Sequence, residues 1–284
     1  MTLNVTNLCG FGAGGAIDSW SIYFGRTTGM ESTTQDDIQT LINGLKADDS
    51  WNALDSLHVA GEATTSTTDA FDNMLQNIKQ NAYNASRIGT PSFSYNSGFA
   101  VTSGNAVDSN FNALSGANFN TASNSLGVYI TTDDGVGDFI HIGWVDYDTG
   151  ADLYNQRAGN AEQLRARNEN TSDISPELES LPTKATGFFG VTRQGAADLR
   201  FIHNYSGGSS TQDSTPSIST ALSQPMSFSA GVGCAATGAS SYSDYAHAPA
   251  RIGAWFFGGG LTDAQLLSIA TRLQTYFTSR GTEA

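Results

Sequence analysis

Lysine is scarce: Lys46, Lys79 and Lys184 are the only ones in 284 residues. Arginine does little to restore the balance, since 13 basic side chains face 27 acidic ones, a formal charge of −14 at pH 7. A surface of that sign repels nucleic acid and anionic membranes unless a basic patch is set apart. The nearest thing to such a patch is Arg165-Ala-Arg167. Nucleic-acid and membrane partners, and a role in genome packaging, are therefore not expected. Cysteine is rarer still. Cys9 and Cys234 are far apart and form no Cys-x-x-Cys pair, which excludes a disulfide framework and a thiolate zinc site and leaves two free thiols as the expectation. No apolar run reaches transmembrane length, and Met1-Thr-Leu-Asn-Val5 lacks the basic start and apolar core of a signal peptide. The expectation is a soluble product made in a cytoplasm.

What is plentiful is turn chemistry. The chain holds 31 glycines and many Ser, Thr, Asn and Asp residues, the composition of short strands joined by frequent turns. Residues 1–33 read as a glycine-punctuated arm. Its Cys9–Gly15 stretch has no Gly-Lys-Ser/Thr and no following βαβ unit, so it is no phosphate-binding loop. Trp20, Tyr23 and Phe24 form an extended apolar segment that needs a cover, and an assembly contact with a neighbouring subunit is expected of them. Residues 34–90 have helical period. Thr34 and Asp37 resemble a capping box ahead of Ile38, Leu41, Ile42 and Leu45. A second short helix is expected to carry Trp51, Leu54 and Leu57. A third, opened by Thr68 or Asp69, is expected to carry Phe71, Met74, Leu75 and Ile78.

From Pro91 the texture turns to β. Candidate strands are 91–101 (with Gly98 as a bend), Ser125–Thr132, Asp138–Asp146, Thr186–Arg193, Asp198–Asn204 and Met226–Gly233. Only 160–168 hints at helix between them. Short strands at this spacing predict an antiparallel sandwich. The end of the chain is the most explicit. Ala250–Phe257 reads as a buried strand, Gly258–Gly260 as a turn, and Thr262 with Gln265 as the capping box of a final helix. Leu261 and Leu266 make its hydrophobic staple, and Leu266, Ile269, Leu273 and Phe277 its buried stripe.

That ending, Ile252–Leu266 followed by a helix, resembles the close of concanavalin-A-like (laminin-G-like) jelly-roll domains, more narrowly those of bacteriophage virion proteins. The stretch Leu41–Leu57, the Gly98-Phe99 strand, the Asp108-Ser-Asn-Phe111 turn and the strand Ser125–Thr132 are similar to their front half. The resemblance covers about Thr34 to Arg280. It implies a mainly β fold: an antiparallel jelly-roll sandwich over 91–284 with a small N-terminal helical subdomain (34–90) and a C-terminal closing helix. The function implied is that of a non-enzymatic structural protein of the virion, displayed on capsid or tail as a decoration or fibre/adhesin component. Other virion proteins are its implied partners, and a homo-oligomer is expected. The alternatives are a carbohydrate-binding adhesin recognising a cell-surface glycan, and a glycoside hydrolase.

Hydrolysis of a glycoside needs two opposed carboxylates. No Glu-x-Asp-x-x-Glu run exists, and Glu177 and Glu179 stand in a polar, turn-like stretch. No Gly-x-Ser-x-Gly elbow supplies a nucleophile. No catalytic residue is expected, and no cofactor other than Ca²⁺. Asp146, Asp148 and Asp152, with Gly150 between them, resemble the first half of a calcium loop, although an ordinary acidic turn reads the same way. His58, His141, His203 and His247 are scattered. Tyr205, Tyr242 and Tyr245 lie in Ser/Gly-rich stretches that present a ring, for a sugar face or for a protein interface.

Overall fold

The computed structural model describes residues 19–133, 139–145, 150–158, 161–169, 186–195, 198–205, 211–213, 227–238, 241–243 and 250–282. It opens with a helix, α1 (Ser19–Phe24), where the sequence predicted an extended segment. The helical turn brings Tyr23 into the core, fully buried, with Trp20 and Phe24 packed beside it. Helix α2 (Ser32–Ala47) buries Ile38, Leu41, Ile42 and Leu45 as their spacing requires. It starts ahead of the expected capping box, because Thr34 is itself buried and its hydroxyl accepts from the Glu62 N–H (3.2 Å).

The second predicted helix is instead a single 3₁₀ turn, Trp51–Ala53, followed by strand β1 (Leu54–Val59), every residue of which is buried. The three-residue spacing of Trp51, Leu54 and Leu57 imitates a helix. Pairing with a distant strand overrides it. Helix α3 (Thr67–Met74) is capped by Ser66, whose Oγ accepts from the Asp69 N–H (3.1 Å), two or three residues ahead of the expected cap.

The strands follow: β2 (Ser86–Ile88), β3 (Phe93–Ser94), β4 (Gly98–Val101), β5 (Ala106–Asn112), β6 (Asn124–Asp133) and β7 (Phe139–Val145). After them come β8 (Gly150–Ala158), β9 (Ala161–Glu169), β10 (Gly187–Gly195), β11 (Asp198–Tyr205) and β12 (Thr211–Asp213). The last are β13 (Ser229–Val232), β14 (Ala235–Gly238), β15 (Ser241–Ser243) and β16 (Ala250–Gly258), before helix α4 (Asp263–Ser279). Residues 91–101 thus make a hairpin, β3 and β4, rather than one strand. Residues 160–168 hold no helix: β9 pairs with β8 in unbroken register from Gly150↔Glu169 to Ala158↔Ala161.

Two sheets result. The first runs β12-β11-β10-β6-β16-β4-β3, with β1 also on β16. Strand β4 lies along Ala250–Ile252 of β16, and β1 takes over along Ala254–Gly258. Gly98 permits that approach: it sits at φ +83°, and a Cβ there would fall 1.9 Å from the Ile252 carbonyl oxygen. The second sheet runs β15-β14-β7-β13-β5-β2, with β8 on β7 and β9 on β8.

Between the sheets, Phe257 stacks on Phe111 (4.6 Å) and tilts against Trp144 (5.4 Å). The first sheet's other face is covered by α4, where Tyr129 stacks on Phe277 (4.5 Å) and donates to Gln274 Oε1 (2.8 Å). Coverage on both faces explains why β6, β10 and β16 read as continuous apolar runs instead of alternating ones. The Thr262–Gln265 capping box forms as predicted, and Leu261 and Leu266 are fully buried at the staple. One core cluster contains Tyr23, the α2 stripe, β1 and Phe277, so the described parts of 1–33, 34–90 and 91–284 share it. Among the described residues no helix is long and apolar enough to cross a membrane.

Candidate functional site

Of the tyrosines singled out in the sequence, Tyr242 has a described side chain. It is carried on β15, half-buried, and its hydroxyl donates to Asp108 Oδ2 on β5 at 2.6 Å. Asp108 Oδ1 accepts from the Asn110 N–H (2.8 Å). Both carboxylate oxygens are therefore held in place by the protein. Burial, then the Asp108 bond, push the Tyr242 phenol up from its ordinary value, so it stays a donor. The Asp108-Ser-Asn-Phe111 segment, expected as a turn, lies within β5. Its Asn110 has φ +51°, and Phe111 points into the core.

Strand pairing sets Asp108 in a row across the second sheet. Gly231 of β13 lies opposite Asp108, Gly143 of β7 opposite Gly231, and Asp152 of β8 opposite Gly143. Gly231 has to be glycine because a Cβ would lie 2.6 Å from Cys234 Sγ. Cys234 is buried there, beside Tyr242.

Among the described residues, none of the other singled-out side chains touches this pair. Tyr205 ends β11 in the first sheet, and its ring lies outside the described residues, as do Tyr245, Asp146, Asp148, Glu177 and Glu179. Asp152 lies on strand β8, and its side chain, like Asp146 and Asp148, is outside the described residues. Among the described residues no three His, Cys, Asp or Glu side chains gather to hold a metal. Trp20, Tyr23 and Phe24 find their cover within this chain. The Tyr23 hydroxyl donates to the Asn73 carbonyl (3.2 Å), and the neighbouring Arg26 donates to Gln76, Asn84 and the Asn77 carbonyl.

Two buried polar groups had no role assigned from the sequence. Asp55, at the start of β1, accepts from the Asn118 N–H (3.0 Å), the Phe119 N–H (2.9 Å) and Asn118 Nδ2 (3.0 Å). His58, on the same strand, stacks on Trp255 and faces the Met74 carbonyl through Nδ1 (3.1 Å). Burial pushes its imidazole down to about 3, outweighing the Met74 and Tyr83 backbone groups that favour the protonated ring, with Arg26 acting in the same direction as burial. Ser56 and His58 are nucleophile and base by type, but both are sealed from solvent. No local pattern could have revealed the long-range contacts: Asn118 and Phe119 lie 63 and 64 residues from Asp55, and Tyr242 lies 134 from Asp108.

No family model matches the chain, and no curated protein matches its sequence. Solved structures do match the architecture. The binding domain of botulinum neurotoxin DC in complex with SialylT superposes with a TM-score of 0.51 at 12% identity, over 81% of this chain and 52% of that one. The fold is a jelly-roll β-sandwich. The binding domain of botulinum neurotoxin serotype D gives the same jelly roll, with a TM-score of 0.50 at 13% identity over 81% of this chain and 51% of that one. This jelly roll thus spans about half the length of the solved chains it resembles.

Proposed function

We propose that the chain is a non-enzymatic glycan-recognition module displayed on a bacteriophage particle. The observation that carries the reading is the Tyr242–Asp108 pair: a half-buried ring with its hydroxyl fixed, next to a carboxylate already oriented by the backbone. A pyranose presents an apolar face that an aromatic ring covers and hydroxyls that a fixed carboxylate accepts from. Preorganisation lowers the ordering cost of binding. The fold likeness to a toxin binding domain in complex with SialylT supports a sugar ligand. The phage setting rests on the resemblance of the Ile252–Leu266 ending, which the structure forms as β16 and the capped start of α4. The non-enzymatic reading is supported by the use of both Asp108 oxygens as acceptors and by the burial of Ser56 and His58.

The test is a glycan array probed with the purified chain, followed by Tyr242→Ala and Asp108→Asn. Binding to a defined subset of glycans, weakened at least about tenfold in both variants, is expected. Full binding by both variants would move the site elsewhere, and no binding to any glycan would end the reading. Antibody labelling of purified particles in the electron microscope tests the phage setting separately.

A further inference from the structure

The pair of Tyr242 and Asp108 lies among uncharged side chains. The Asn110 amide donates to the Asn84 carbonyl (2.7 Å) and reaches Ser86 Oγ (3.5 Å), and Ser229 hydrogen-bonds the Tyr242 hydroxyl. Asn112, farther along β5, donates to the Ser227 carbonyl (2.8 Å). Among the described residues no lysine or arginine pairs with Asp108. Arg87 is the base on the adjoining strand β2. It lies opposite the buried Val107, whereas Asp108 lies opposite Ser86, so alternation sets the guanidinium on the other face of the sheet. There Asp72 and the Phe71 ring (4.5 Å) hold it. Along the row through Gly231 and Gly143 the next base position is Arg167 of β9, opposite Asp152. Four strands separate it from Asp108, about 19 Å at ordinary strand spacing.

An ionised carboxylate has about four acceptor positions and no donor. The Tyr242 hydroxyl and the Asn110 N–H occupy one on each oxygen of Asp108, so each oxygen can accept once more. Sugar hydroxyls can fill both places. A ligand carboxylate cannot: it too offers only acceptors, and its charge has the same sign with no described base to balance it. The formal charge of −14 on the chain adds a longer-range repulsion in the same direction. Resting on the sugar-binding reading of the pair, we propose that Asp108 sets the ligand class: the site takes an uncharged sugar and turns away sialic and uronic acids.

The test takes each neutral glycan that the purified full chain binds and compares it with two derivatives. One has its terminal sugar oxidised at C6 to the uronic acid, and the other is the methyl ester of that acid. Oxidation should weaken binding at least about tenfold, and esterification should restore it, because the ester keeps the shape of the acid without its charge. In Asp108→Asn the preference for ester over acid should fall at least about threefold. Acid and ester bound alike by the unaltered chain overturn the proposal, as does preferential capture of acidic glycans. In either case the sugar-binding reading stands as long as Tyr242→Ala weakens what is bound. A preference that Asp108→Asn leaves unchanged overturns the role given to Asp108. Binding to no glycan, or binding that both variants leave intact, removes the site and the proposal with it. The acid–ester comparison needs no variant, so poor folding of Asp108→Asn does not decide the outcome.

Discussion

The imidazole of His58 lies flat against the indole of Trp255, with ring centroids 4.4 Å apart and planes within 9° of parallel. The pair joins a strand near the start of the chain to the strand at its end, and it requires an uncharged imidazole in a dry interior. A folded-state value of about 3 lies below the ordinary 6.5, so the unfolded chain binds the proton first. The stability that His58 contributes is complete above pH 6.5 and is lost as the pH falls toward 3. The loss is on the order of 5 kcal/mol. Urea denaturation at successive pH values should show a slope that His58→Phe flattens in this window; parallel curves for the two proteins would refute the assignment.

Asp55 holds the 118–119 backbone from inside the protein. Asp55→Ala leaves those N–H groups without an acceptor and is expected to cost about 2–4 kcal/mol. Asp55→Asn should cost less, since one acceptor oxygen remains. Equal, small effects in equilibrium denaturation would show that water replaces the carboxylate.

Tyr23 belongs to the core of its own chain, so Tyr23→Ala should destabilise the monomer by about 3–5 kcal/mol. Removing residues 1–24 should lower the melting temperature as well. A truncated protein that melts unchanged would return Trp20, Tyr23 and Phe24 to the role of a subunit contact.

The Thr262 cap offers a smaller and cleaner test. Thr262→Ala removes the acceptor of the Gln265 N–H and should cost about 1 kcal/mol. Thr262→Ser should cost almost nothing, because the hydroxyl that does the capping is retained.

How much of this was legible in the sequence depended on how far away each partner lies. The 250–279 stretch was read correctly because its cap, staple and stripe are all local. Trp51, Leu54 and Leu57 misled for the converse reason: their spacing is local, but the edge that makes 54–59 a strand comes from β16. The 160–168 stretch was ambiguous on period alone, and its hairpin partner β8 decides it. Tyr242 was singled out for its Ser/Gly-rich setting, whereas Asp108, its acceptor, had read only as part of a turn. A hydrogen bond closed across more than half the candidate jelly roll leaves no trace in either neighbourhood.

The place of β16 has a consequence in time. A ribosome releases β1 long before 254–258, the edge it needs, so the roughly 200 residues between them must be translated before that strand can pair. Strand β6 waits for the same partner on its other side. Until then the nascent protein carries unpaired apolar edges, which are prone to join other chains. Cotranslational assembly of the first sheet is therefore blocked at its centre, and the yield of native protein depends on how well the emerging chain is shielded until β16 leaves the exit tunnel.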